Sequence, residues 1–242
     1  MKFNILTIFP EIFKIFEYGV ISKGINNNFS LNCYDIRKHA INKHGQIDAK
    51  PYGGGEGMLL MPEPLKQAIL DIPKEDKGHV VYLSPQGKQL NQDKVKELSS
   101  LKSLTLICGR YEGIDQRFID NYVDDEISIG DYVVTGGELP ALILIDAISR
   151  LVPGVVGKYS SVENDSFYNG LLKGPVYTRP RKFENISIPE VLLSGNHQKI
   201  KDWRIRQSLI ATLKTKPELI KEIKLTKKQK KLLEEIDSSI IL

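Results

Sequence analysis

Ile129-Gly130-Asp131-Tyr132-Val133-Val134-Thr135-Gly136-Gly137-Glu138-Leu139-Pro140 sets three glycines and a proline between an apolar segment and a strongly apolar stretch of helical character. Glycine permits positive φ and lets a ligand approach the main chain closely. A helix that starts directly after such a loop offers unpaired N–H groups to whatever binds there. The segment therefore reads as a ligand-binding loop. Two other segments have the same form. Val80 to Leu83 is a β-like run ending in Ser84-Pro85-Gln86-Gly87, and Leu104 to Cys108 is another ending in Gly109-Arg110-Tyr111-Glu112-Gly113. Ligands of open α/β sheets bind beyond the carboxyl ends of the strands, so three such loops at one edge make one composite pocket.

Working outward, strands alternate with helices. Strands are expected over 3–9, 31–36, 80–83, 104–108 and 125–129. Helices are expected from Pro10 and over 64–70, 92–101, 114–122 and 139–152, with residues 37–58 a polar, Gly-rich loop. That alternation predicts an α/β fold with a parallel sheet. After Pro153-Gly154 the pattern changes. Residues 155–174 lack periodicity and read as a linker or mobile loop. Beyond them the spacing is helical over 196–215, Pro217 opens a short helix, and Thr226 to Gln229 fits a capping box.

Composition bounds the class. The 242 residues are 41% hydrophobic and 26% charged, which suits a globular chain of one large domain or two modest ones. No apolar run approaches the ~18 residues of a membrane span, and the N-terminus lacks a signal-peptide pattern. Cys33 and Cys108 sit in β-like runs and read as buried free thiols, which makes the cytoplasm the expected compartment. The net charge of +4 is uneven: residues 1–166 carry 18 Lys and Arg against 22 Asp and Glu, whereas 167–242 carry 16 against 8. The basic tail fits a polyanionic partner or a solvated lysine-rich helical surface.

Generic motifs exclude several chemistries. No G-x-x-x-x-G-K-[ST] or strand-linked G-x-G-x-x-G is present, and Gly53 to Gly57 follows a polar loop. His39, His44, His79 and His197 show no zinc spacing. No G-x-S-x-G elbow occurs.

The segments 52–58, 83–87, 108–115, 129–140, 150–154, 165–167, 177–180 and 192–197 follow one another in an order that resembles the bacterial tRNA (guanine-N1-)-methyltransferases, the TrmD family of the SPOUT superfamily. The match covers nearly the whole chain. The resemblance implies a parallel α/β domain with a deep trefoil knot over residues 1–157. It also implies an interdomain linker over 158–174, mobile until tRNA orders it, and an all-helical tRNA-binding domain over 175–242. It further implies a homodimer with the active site at the subunit interface, S-adenosylmethionine as methyl donor, magnesium support, and methylation of N1 of the guanine immediately 3′ of the anticodon.

Roles carry over residue by residue. The resemblance makes Asp165 the base for guanine N1 and Arg150 its helper at O6. It places the donor against Leu83, Ser84, Pro85, Gln86, Gly109, Ile129, Gly130, Asp131, Tyr132, Val133, Val134, Gly136, Gly137 and Pro140. Arg110, Tyr111, Glu112 and Gly113 join them, with Glu112 contacting the methionine moiety or a metal whose position the sequence leaves unknown. Asp48, Tyr52, Gly55, Met58, Ser166, Arg179 and Arg204 are substrate-binding candidates, and Lys199, Lys201 and Arg206 add phosphate contacts. Trp203 reads as core before it reads as a stacking platform. From the residues alone, Asp165 reads as a solvated loop carboxylate; its role as base comes from the resemblance. Two alternative functions are a SPOUT methyltransferase acting at another tRNA position and a non-catalytic RNA-binding knot protein. An aspartate base argues against a 2′-hydroxyl target, which needs no carboxylate beside a base nitrogen.

Overall fold

The computed structural model describes the backbone of residues 1–240 and side chains through Ile236. The chain divides into two compact units, Met1–Tyr159 and the remainder from Ser160.

The first unit contains β1 (Lys2–Thr7), β2 (Ser30–Asp35), β3 (Asp48–Ala49), β4 (Leu59–Leu60), β5 (His79–Gln89), β6 (Ser103–Cys108) and β7 (Asp125–Ser128). Five of these form one sheet in the order β2-β1-β6-β5-β7, with every pairing parallel. Between them run α1 (Pro62–Leu70), α2 (Lys74–Lys77), α3 (Gln92–Ser99), α4 (Gln116–Tyr122) and α5 (Glu138–Ser149). The expected α/β fold with a parallel sheet is what is observed. β6 is buried at every position and β1 at all but its first. Central parallel strands are covered on both faces, which is why they read as near-continuous apolar runs. Their few polar side chains are satisfied: Asn4 Nδ2 and Thr105 Oγ1 donate to the Asp76 and Lys77 carbonyls of α2.

One face packs Leu6, Ile107 and Tyr82 of the sheet against Leu65, Ala68 and Ile69 of α1 and Phe118 of α4. Each such fully buried side chain contributes on the order of 1.5–3 kcal/mol. β5 departs from a plain strand. Leu83 and Lys88 both register with Ile127, so residues 84–87 bulge out of the ladder and the chain then rejoins it. Gly87 makes the return feasible, because a Cβ there would lie 2.4 Å from the main chain of β7.

The helix expected from Pro10 is a 3-10 helix, Pro10–Glu17. Two local expectations are corrected. Residues 37–58 are not all loop, since β3 pairs with β4 across the Gly-rich turn. Cys33 is exposed whereas Cys108 is buried. β2 is the sheet's edge strand and is nowhere fully covered, while Cys108 ends the central β6.

Further along come α6 (Tyr159–Glu163), β8 (Lys182–Phe183), β9 (Ile186–Ser187), α7 (His197–Thr215), α8 (Glu218–Glu222) and α9 (Lys227–Ile240). Leu171, Leu209 and Ile236 form the buried centre of the second unit, with Ile205, Leu213, Ile223 and Leu232 packed around it. Leu171 belongs to the stretch expected as a linker, so that stretch supplies core to this unit. Among the described residues the unit's regular elements are helices apart from the β8–β9 hairpin, which corrects the expectation of an all-helical domain. The hairpin's two-residue turn puts Glu184 and Asn185 at φ of 46° and 66°, the positive values that suit the twist of a tight hairpin. Asn196 caps α7 through Lys199 N, and Thr226 and Gln229 form the expected reciprocal cap of α9.

Asp115 caps α4 by accepting from Arg117 N at 2.9 Å and is also bound by the Arg117 guanidinium. Those hydrogen bonds hold its carboxyl below the usual carboxylate range. A depressed carboxylate stabilises the fold fully above its unfolded pKa and loses that effect as pH falls through the folded value. Asp115→Ala is therefore expected to cost about 1 kcal/mol at neutral pH, with the deficit shrinking in acid. Urea titrations of both proteins at neutral and acid pH check this; an equal deficit at both would remove the charge from the explanation.

Candidate active site

The bulge within β5 and the loops after β6 and β7 meet in one cleft of about 340 Å³. Every residue expected at the donor pocket lines it except Asp131, which is exposed beside Gly130. The three-loop pocket expected from the sequence is therefore present as geometry. Adjacency makes it, because β6, β5 and β7 are consecutive in the sheet.

The loops are held from within. Gly130 N donates to Ser128 Oγ, and that hydroxyl donates to Gly130 O, both at 3.1 Å. Gly137 N donates to Gly109 O at 2.8 Å. A Cβ on Gly137 would stand 2.6 Å from Cys108 Cα, so the start of α5 is pressed directly onto the end of β6. Val134 and Gly136 line the cleft, and their N–H groups take no hydrogen-bond partner among the described residues.

A buried charge lies behind this wall. Glu138, the first residue of α5, is fully buried. It accepts from Thr7 Oγ1 at 2.8 Å and from Arg110 Nε at 2.8 Å. Arg110 Nη1 also donates to Thr135 O at 3.1 Å, and its guanidinium lies 4.6 Å from the Phe9 ring centroid. Arg110 thus ties the ends of β1 and β6 to the glycine loop. It lines the cleft, yet its charge is engaged by Glu138. Tyr82 also lines the cleft; burial, with the Glu126 carboxylate adding to it, pushes its phenol up to about 12, so it stays neutral. Burial likewise raises the Cys108 thiol well above its ordinary value, followed by the influence of Glu138.

The glycine-rich turn borders the same region. Glu112 N donates to Met58 O at 2.9 Å, and Leu60 N donates to Gly113 O at 3.0 Å. A Cβ on Gly57 would overlap the Glu112 side chain. Asp48 registers with Leu60 across β3 and β4. Asp48 and Met58 are thereby brought to the Glu112 side of the cleft, while Tyr52 is fully exposed and Gly55 has φ of 120°. Arg150 is not among the lining residues. It ends α5, whose first residue is Glu138, so it sits roughly 18 Å further along the helix axis.

In the second unit Asp165 and Arg204 line a separate cavity of about 410 Å³. Asp165 Oδ1 accepts from Lys173 Nζ at 3.0 Å, and Ser166 Oγ accepts from Lys173 N at 2.9 Å. Arg179 is exposed and does not line this cavity. Trp203 is half-buried, its ring centroid 6.3 Å from that of Tyr177.

The sequence profile of the family described as tRNA (Guanine-1)-methyltransferase TrmD matches residues 1–222. The chain belongs to this TrmD family. It is 49% identical over 245 residues to a tRNA (guanine-N(1)-)-methyltransferase of Actinobacillus succinogenes, with both chains covered in full. A protein of the same name from Clostridium botulinum is 47% identical over 241 residues, covering 99% of this chain and all of the relative. One from Shewanella loihica is 50% identical over 239 residues, covering 97% and 96%. The family resemblance read from the eight ordered segments is thus borne out.

Sequence reasoning missed several features of this TrmD-family cleft. Tyr82, Ile127 and Ser128 line it from just inside the strands whose loops were read. Thr7 and Glu138 form the buried support. Thr7 ends a strand adjacent to β6, so the rule that sites gather at carboxyl ends would have flagged it. Nothing local marks Glu138 as buried, because its partners are 28 and 131 residues away. Among the described residues no three His, Cys, Asp or Glu side chains are grouped to hold a metal.

Arg110→Met is expected to strand a buried carboxylate and to cost about 3 kcal/mol of stability. Equilibrium urea unfolding measures it. A loss well under 1 kcal/mol would show that Glu138 does not depend on the guanidinium.

Proposed function

We propose that this chain transfers a methyl group from S-adenosylmethionine to N1 of the guanine immediately 3′ of the anticodon of tRNA. The observation that carries the reading is the three-loop cleft, in a chain that its family profile matches over residues 1–222. The donor supplies an electrophilic methyl on a positively charged sulfur. The cleft suits such a molecule: Leu83, Ile129 and Pro140 offer apolar surface, Val134 and Gly136 offer unpaired main-chain donors, and the Glu112 carboxylate suits the cationic amino-acid end.

Guanine N1 is not nucleophilic while protonated, so a base is required there and a positive group at O6, where charge develops. Asp165 takes the N1 proton and Arg150 stabilises O6. Asp48, Tyr52, Gly55, Met58 and Ser166 contact the tRNA around the target guanine. Arg179, Lys199, Lys201, Arg204 and Arg206 contact tRNA phosphates, which position the substrate without reading its sequence.

The working form is a homodimer with the active site at the subunit interface. Arg150 lies at the far end of α5 from its own chain's cleft, and Leu139 and Ile143 of that helix are about half exposed, which supports a second copy supplying the missing side. A deep trefoil knot over residues 1–157, built around 83–139, accords with the bulge and re-pairing of β5. Magnesium, which the family resemblance implies, would add positive charge near the reacting groups, and Glu112 is the carboxylate lining the cleft that would face it. Among the described residues no helix is long and apolar enough to cross a membrane, and a cytoplasmic site of action fits a tRNA substrate.

The test is methyl transfer from labelled S-adenosylmethionine to two tRNA transcripts, one with guanine immediately 3′ of the anticodon and one with adenine. Label in the first alone, recovered as N1-methylguanine, is expected. Equal labelling of both, or of neither, would overturn the substrate assignment. Binding of tRNA is also expected to weaken steeply with salt; a flat salt dependence would remove the basic C-terminal unit as the footprint.

A further inference from the structure

Residues 165–174 are built onto α7 rather than draped over it. Two side chains one turn apart grip Leu172: Thr212 Oγ1 accepts from its N–H at 3.0 Å, and Ser208 Oγ donates to its carbonyl. Thr212 is fully buried and donates in turn to Ser208 O at 2.7 Å. Leu171 before this point is in the core, and Gly174 after it lies so close to α7 that a Cβ would stand 2.8 Å from Gln207 Cβ. Lys173 is therefore fixed on both sides. Its N–H donates to Ser166 Oγ, and Phe167 N donates to Leu171 O at 2.8 Å, which closes the loop back on Asp165. The ammonium of Lys173 then engages Asp165 Oδ1 at 3.0 Å.

We propose that Lys173 is a positioning residue for Asp165, carrying the fixed geometry of α7 to the carboxylate through Leu172. This rests on the reading of Asp165 as the base. Both side chains are more than a third exposed, and pairs of that kind add little to stability. The contact is better explained by what it does to Asp165. An ammonium at hydrogen-bond distance favours the ionised carboxylate, which is the form able to take a proton from guanine N1. The other charged groups lining the same cavity are Glu163 from α6 and Arg204 from α7, of opposite sign to each other.

The experiment is single-turnover methyl transfer to tRNA across pH, using the full-length protein as wild type, Lys173→Met, Lys173→Arg and Asp165→Asn, with donor binding measured on each. Lys173→Met is expected to bind donor normally and to move the acid limb of the rate profile upward by about one pH unit, with transfer at pH values below the wild-type limb reduced about tenfold; Lys173→Arg should restore the wild-type limb. A Lys173→Met profile that superimposes on wild type, or a uniform loss of rate with no shift and no rescue by arginine, overturns the proposal. Asp165→Asn separates the two claims. Loss of transfer with donor binding intact upholds the base assignment whatever Lys173 does, and wild-type transfer would sink the base assignment and this inference with it.

Discussion

The candidate active site depends on how closely the start of α5 approaches the end of β6. Gly137 N donates to Gly109 O, and no side chain fits between the two main chains. The contact buries Glu138, and a buried carboxylate must be paired. Arg110 and Thr7 supply that pairing from the ends of β6 and β1. One steric constraint therefore generates one electrostatic constraint, and together they join three chain segments behind the cleft. A wall organised in this way is pre-positioned, so its main-chain donors need no rearrangement to meet a ligand.

The second unit reaches a defined geometry by a different route. Its core is small, and the stretch carrying Asp165 is anchored through backbone hydrogen bonds to the Ser208 and Thr212 side chains. The Ser208 hydroxyl donates to Leu172 O, and the Thr212 hydroxyl, while bonding back to Ser208 O within its own helix, also accepts from Leu172 N, so both serve as attachment points for a neighbouring segment. That explains how a stretch without hydrophobic periodicity still takes a specific conformation.

Much of this was legible in the residues. The alternation of apolar runs and amphipathic stretches set out the parallel sheet, because buried strands and surface helices differ in period. The caps at Asn196 and Thr226 and the three Gly-bearing loops were readable because each is a local signal with a local cause. The misreadings share the opposite character. β3 and β4 are two residues each and exist by pairing with one another across the Gly-rich turn. The β8–β9 hairpin rests on positive φ at Glu184 and Asn185, which its composition advertises weakly. A β-like run predicts a buried Cys33, yet exposure depends on whether a strand is central or at an edge, and β2 is an edge strand.

The sequence by itself determined the order of the main strands and helices, the loops that gather at one sheet edge, the basic character of the C-terminal unit and membership of the TrmD family. These follow from period, composition and ordered motifs, all properties of neighbouring residues or of their succession. The tertiary structure decided which side chains meet. The Thr7–Glu138–Arg110 network, the joining of Met58 to Glu112 and the hold of Lys173 on Asp165 all turn on strand order and helix placement. Such contacts arise when burial brings distant segments together, and no local spacing encodes that event.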